Sequence, residues 1–126
     1  MVTNNMLAVG VDMIEVDRIE RSLERHGPNF LDRIFTAQEQ AYCNGQINRL
    51  AARFAIKEAV SKALGTGIGD VAWKDIEIVN DERGRPQLIL HDGASNLAAE
   101  KGLLNWSISM SHTDRHAIGM VVALGK

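Results

Sequence analysis

The alternation of apolar and polar positions divides the chain into segments of two kinds. Met6 to Val16 (MLAVGVDMIEV) is an apolar, β-branched run that predicts a strand buried on both faces, with the acid Asp12 in its middle. From Asp17 to His26 the period lengthens to that of a helix, which stops at the breaker pair Gly27-Pro28. Thr36 followed by Glu39 is a capping-box pattern that opens a helix to about Asn44. A long helix is expected from about Asn48 to Leu64, ending at Gly65. Residues 75–80 (DIEIVN) and 86–91 (PQLILH) form two strands joined through Asp81-Glu82-Arg83-Gly84. Asp92 is expected to cap a short helix to about Lys101. Residues 105–111 and 116–124 close the chain as a hairpin around His112-Thr113-Asp114-Arg115. Helices and antiparallel strands interleave without βαβ regularity. The expected class is α+β: an antiparallel sheet packed against helices, one of them long and central. A single domain over 1–126 follows, with residues 1–5 as a loose extension.

Composition adds exclusions. The 126 residues are 45% apolar and 24% charged, ordinary for one globular domain. Fourteen basic against 16 acidic residues give a net charge of −2, which argues against non-specific binding to nucleic acid. The lone Cys43 has no partner for an internal disulfide, so a reducing, cytoplasmic setting is the simpler expectation. No apolar run reaches the length of a membrane span, and MVTNNML lacks the basic start and apolar block of a signal peptide.

Candidate chemistry lies in four places. A carboxylate inside an apolar strand is costly to ionise unless it is paired or holds a metal, so Asp12 is either an acid paired with an arginine or capping a helix, or a site residue. Gly10, on the same face, leaves room for something to approach. On the long helix, Glu58, Ser61, Lys62 and Gly65 share a face by their spacing. Glu58 and Lys62 are then an ordinary stabilising pair or part of a site. Alanines at 51, 52, 55, 59 and 63 let the other faces pack closely. Gly65-Thr66-Gly67 is either a C-cap or a turn whose N–H groups gather toward an anion, with Lys62 and a metal on Glu58 supplying positive charge. His112, after SISMS, is either structural or a phosphate donor. Between residues 16 and 26 an apolar stripe (Val16, Ile19, Leu23) runs beside an acidic stripe and an arginine stripe (Arg18, Arg21, Arg25), which Arg33 can extend. The arginines are a solvated face or a dock for an acidic partner.

These blocks together closely resemble the holo-acyl-carrier-protein synthases, the small bacterial 4′-phosphopantetheinyl transferases. The resemblance rests on VGVDMIEVDRI (9–19), RIFTAQE (33–39), RFAIKEAVSKALGTGIG (53–69), NDERGRP (80–86) and SMSHT (109–113), in the family's order and spacing. It implies the 4′-phosphopantetheinyl transferase fold and a magnesium-dependent transfer of the phosphopantetheine arm of coenzyme A to a serine of apo-acyl carrier protein. Adenosine 3′,5′-bisphosphate leaves, and the setting is fatty acid biosynthesis. By the same resemblance Asp12 and Glu58 bind Mg2+, and Lys62 faces the diphosphate as a third catalytic residue. Gly65, Thr66 and Gly67 hold the nucleotide part, His112 contacts a phosphate and Pro86 borders the adenine. The proton acceptor is Glu58 or a bound water. Arg18 and Arg33 fall where the family engages the acidic helix of the carrier protein. Arg21 and Arg25 extend that patch by sharing the face of Arg18. Homotrimers with active sites between subunits are also implied. Two other functions compete: a magnesium-dependent hydrolase of a nucleotide diphosphate, which would not need the arginines, and a non-catalytic trimer that docks acidic proteins, which would not need Glu58.

Overall fold

The computed structural model describes residues 6–125; the expected loose extension at 1–5 lies outside them. Strand β1 (Met6–Glu15) leads directly into helix α1 (Val16–His26), then come α2 (Pro28–Ile34), α3 (Ala37–Cys43) and α4 (Ile47–Leu64). After a 3-10 turn (Trp73–Asp75) follow β2 (Ile76–Asn80), β3 (Pro86–Leu90), α5 (Asp92–Glu100), β4 (Asn105–His112) and β5 (His116–Gly125). The class is α+β, as the pattern predicts. The strands form two antiparallel sheets rather than one: β1-β5-β4, and the hairpin β2-β3.

Helix α4 is the spine of the molecule. Its alanines at 51, 52, 55, 59 and 63 are all buried, and the helix lies on the inner face of the three-stranded sheet. Two glycines set how close it lies. A Cβ on Gly10 would collide with the Ala59 carbonyl, and one on Gly119 would stand 2.6 Å from the Ile56 nitrogen. What approaches in the space beside Gly10 is therefore the backbone of α4.

The polar interior is organised around Glu39. Thr36 and Glu39 make the capping box of α3, with Thr36 N donating to Glu39 Oε1 (2.9 Å) and Glu39 N donating to Thr36 Oγ1 (3.2 Å). The same carboxylate receives Lys57 Nζ at 2.9 Å and, through Oε2, the Ile78 amide at 2.9 Å. Lys57 also donates to the Trp73 and Ile76 carbonyls. Burial pulls the Lys57 ammonium below the ordinary lysine range, and the Glu39 charge opposes this. With neither side chain exposed, the pair ties α3, α4 and β2 together with every charge answered.

Local differences from the sequence reading have physical causes. Gly27-Pro28 does end α1, but Pro28 occupies the first position of α2, where its missing N–H costs nothing. That helix, Pro28–Ile34, is absent from the sequence reading. Asp92 begins α5 with a positive φ of 44°; His91 holds the N-cap position, and no side chain caps the helix. Strand β1 is buried on one face only. Leu7, Val9, Val11 and Met13 project from its other face beside Ile118, Met120 and Leu124 of β5, all exposed.

Because the approach of α4 to the sheet is backbone on backbone, Gly119→Ala has no side chain to displace. It is expected to cost about 1–3 kcal/mol, read as a lower urea midpoint. An unchanged midpoint would mean that α4 can lift off the sheet freely.

Candidate active site

Register and packing bring three sequence-identified residues together. Asp12 lies on the inner face of β1, opposite Gly119, and next to the C-terminal half of α4. Lys62 reaches across to it: Nζ is 3.1 Å from Asp12 Oδ1 and donates also to the Val11 carbonyl at 3.1 Å. The lysine side chain remains 53% exposed and the aspartate 20%, so the pair sits at the surface, not in the core. Glu58, half-buried, stands one turn back on the same helix. Burial raises its carboxyl above the ordinary glutamate range and the Asp12 charge raises it further, while Lys62 and Arg18 oppose the shift. Of the shared face expected on α4, Ser61 has turned inward: it is buried and its Oγ donates to the Glu58 carbonyl at 2.7 Å.

Asp12 and Glu58 are hard oxygen donors, and the mutual repulsion recorded in the raised Glu58 carboxyl is what a divalent cation relieves. Among the described residues no cluster of three or more His, Cys, Asp or Glu side chains is placed to hold a metal. Two carboxylates suit Mg2+, which commonly takes one or two from the protein and the rest of its shell from substrate phosphates and water.

The Gly65-Thr66-Gly67 turn follows the C-cap alternative. Gly65 is left-handed (φ 80°) and its amide donates to the Lys62 carbonyl at 3.0 Å. The Thr66 and Gly67 amides both donate to the Ser61 carbonyl, at 3.1 and 3.3 Å. These N–H groups satisfy the end of the helix and do not gather toward an anion, because the last carbonyls of α4 compete for them first. The Thr66 hydroxyl oxygen is buried and without a hydrogen-bond partner among the described residues.

Pro86 and His112 are also brought together, but elsewhere. They line a cavity of about 220 Å³ with Tyr42, Arg49, Arg53, Asn80 and Met110. Arg53 and Lys62 stand nine residues apart on α4, which is about two and a half turns, so they leave the helix on opposite sides. Asp12 and His112 likewise sit on the two edge strands of the sheet, with β5 between them, roughly 10 Å apart across it. One chain thus carries an acidic flank (Asp12, Glu58, Lys62) and a basic flank (Arg49, Arg53, His112), separated by α4.

Sequence reasoning missed Arg49, Arg53, Tyr42 and Asn80. Arg53 is only 3% exposed, yet no carboxylate pairs with it among the described residues. Its Nη2 donates to Asn80 Oδ1 at 2.8 Å and its Nε is buried and unpartnered among the described residues. A signal was there to be found: neither arginine has an acid three or four residues away on the helix.

On α1, Val16 and Ile19 are buried and the arginine stripe faces out. Arg18, Arg21 and Arg25 line one shallow groove of about 130 Å³ with Ser22 and His26. Arg33 is exposed on α2 and lies outside that groove.

If Asp12 is what adds to the burial of Glu58, then Asp12→Asn lowers the Glu58 titration midpoint in metal-free protein. Carbon-13 NMR of the glutamate carboxyls measures this directly. A midpoint that stays or rises would mean the two carboxylates do not sense each other.

Comparisons with known proteins are consistent across sequence and structure. Residues 8–121 match the family model described as the 4′-phosphopantetheinyl transferase superfamily. The chain is similar to the holo-[acyl-carrier-protein] synthase of Moorella thermoacetica, 50% identical over 122 residues that cover 94% of this chain and 93% of the relative. It is also similar to that of Herpetosiphon aurantiacus, 44% identical over 127 residues, 95% of this chain and all of the relative. Among solved structures, Helicobacter pylori holo-[acyl-carrier-protein] synthase in complex with coenzyme A superposes with a TM-score of 0.84. It is 32% identical and covers 91% of this chain and 98% of that one.

Proposed function

The chain belongs to the 4′-phosphopantetheinyl transferase superfamily, and on that premise we propose that it acts as a holo-acyl-carrier-protein synthase: it transfers the 4′-phosphopantetheine group of coenzyme A to a serine of apo-acyl carrier protein and releases adenosine 3′,5′-bisphosphate. The observation that carries this reading is the division of α4 into an acidic flank with an exposed lysine and a basic flank whose arginines pair with no carboxylate among the described residues. Coenzyme A offers a diphosphate and a phosphorylated ribose to two such surfaces.

On the acidic flank, Asp12 and Glu58 would hold Mg2+, which neutralises charge on the diphosphate and stabilises the departing phosphate. Lys62, exposed and tethered only to Asp12 and the Val11 carbonyl, can swing onto the same diphosphate. The serine oxygen forms a bond to the β-phosphorus as the bridging P–O bond to the nucleotide breaks. The serine proton passes to Glu58 or to a water that it holds. On the basic flank, Arg49, Arg53 and His112 bind phosphate and Pro86 borders the base. The groove of Arg18, Arg21 and Arg25, with Arg33 outside it, receives the acidic surface of the carrier protein.

Because the two flanks face away from each other, a complete site needs the acidic flank of one copy and the basic flank of another. The exposed apolar face of β1 and β5 supports such association, and a homotrimer closes the arrangement. We place this activity in the cytoplasm, in fatty acid biosynthesis. Among the described residues no helix is long and apolar enough to cross a membrane.

Mass spectrometry of an apo-acyl carrier protein incubated with the protein, coenzyme A and magnesium should show a gain of one phosphopantetheine group. The gain should vanish with a chelator and with Glu58→Gln. No gain with folded protein and competent carrier would overturn the transferase reading.

The shared site has its own test. Asp12→Asn and His112→Ala, each inactive alone, should recover part of the activity when co-expressed, since some interfaces then carry neither substitution. Failure of co-assembled variants to recover any activity would place the whole site within one chain.

A further inference from the structure

We propose that Tyr42 is a positioning residue for the phosphate-binding arginines: its ring holds both the Arg49 and the Arg53 guanidinium groups while leaving both charges free for an anion. The proposal rests on the coenzyme A reading above. The two Cζ atoms stand 4.9 and 4.7 Å from the centre of the same ring. Like charges one helical turn apart repel, and proteins usually quench such a pair with a carboxylate. Here no carboxylate pairs with either arginine among the described residues. The negative face of an aromatic ring attracts a cation without cancelling its charge, so the flank keeps the full field of two guanidinium groups.

The remaining contacts are all to neutral acceptors. Arg49 Nη1 donates to the Tyr42 carbonyl at 3.0 Å and Arg53 Nη1 to the Arg49 carbonyl at 3.2 Å. Asn80 Oδ1, which takes Arg53 Nη2, belongs to a side chain whose Nδ2 is in turn held by the Gly84 carbonyl at 2.9 Å. Neutral acceptors fix direction and leave net charge unchanged. Tyr42 is itself 41% exposed and lines the same cavity as His112 and Pro86, so its ring is not a core support for the fold. Its hydroxyl makes no hydrogen bond among the described residues, which assigns the role to the ring and not to the phenol.

The test compares wild type with Tyr42→Leu and Tyr42→Phe. The readouts are steady-state transfer with coenzyme A varied, calorimetric binding of adenosine 3′,5′-bisphosphate and of inorganic pyrophosphate, and thermal midpoint. Tyr42→Leu should raise KM for coenzyme A and weaken bisphosphate binding about tenfold, with kcat within about twofold and the midpoint nearly unchanged. Tyr42→Phe, which keeps the ring, should behave as wild type. Equal weakening in both variants, unchanged affinity in Tyr42→Leu, or a fall in kcat at constant KM would each overturn the proposal. Wild-type protein that binds pyrophosphate but transfers nothing would remove the transferase reading alone, with Tyr42 then judged by its effect on pyrophosphate affinity. Wild-type protein that binds neither anion would overturn both.

Discussion

The backbone of α4 touches the backbone of the sheet at Gly10 and Gly119, and the positions of the functional side chains follow from that contact. Two side-chain-free positions on neighbouring strands let a helix rich in alanine descend to the distance at which Lys62 reaches Asp12. A larger residue at either position would raise the helix, and the short polar reach from Asp12 to its partners would open first. The same descent puts the two sides of α4 over the two edges of the sheet. One helix therefore serves an acidic flank at β1 and a basic flank at β4, and neither flank can see the other.

Charge is handled in two ways in the molecule, and the contrast separates structure from function. In the interior, Lys57 and Glu39 answer each other fully, with backbone groups taking what is left. Thr36 and Glu77 extend that network: Thr36 Oγ1 donates to Glu77 Oε2 at 2.6 Å, and His91 Nε2 lies 2.9 Å from Glu77 Oε1. Burial would raise the Glu77 carboxyl, but these hydrogen bonds and the charges of His91 and Lys57 outweigh it and hold it below the ordinary range. At the flanks the charges are answered only in part: Lys62 meets Asp12 at 3.1 Å, and no carboxylate pairs with Arg49 or Arg53 among the described residues. Glu58 repels Asp12, and Arg53 is buried against a ring and an amide. A charge held out of water without a counter-ion is costly, and that cost makes these flanks candidates for a ligand of opposite sign.

Much of this was legible along the chain, element by element. The Thr36–Glu39 capping box, the alanine-lined helix ending at Gly65, the turn at Asp81–Gly84 and the closing hairpin all carry local signals, and all four are present. The errors and open choices fall where a local signal had two outcomes. Pro28 breaks one helix and starts another, and the sequence pattern marked only the break. At Gly65-Thr66-Gly67 the sequence left a C-cap and an anion turn both open, and the amides take the Ser61 and Lys62 carbonyls as a C-cap does. The apolar run of β1 predicted burial on both faces, but only one face meets α4.

The chain by itself determined which residues are candidates for chemistry: Asp12, Glu58, Lys62, His112 and the arginines of α1 stand out because charge in an apolar or motif-bearing context is a local property. Grouping was another matter. That Asp12 joins Lys62 while His112 joins Arg53 depends on strand register and on the side from which each residue leaves α4. The role of Arg53 as a buried cation lacking a carboxylate depends on what Tyr42 and Asn80 bring to it from other elements. Tertiary structure alone decided these points, because burial and partnership are sums over contacts between residues distant in sequence, and no periodicity records them.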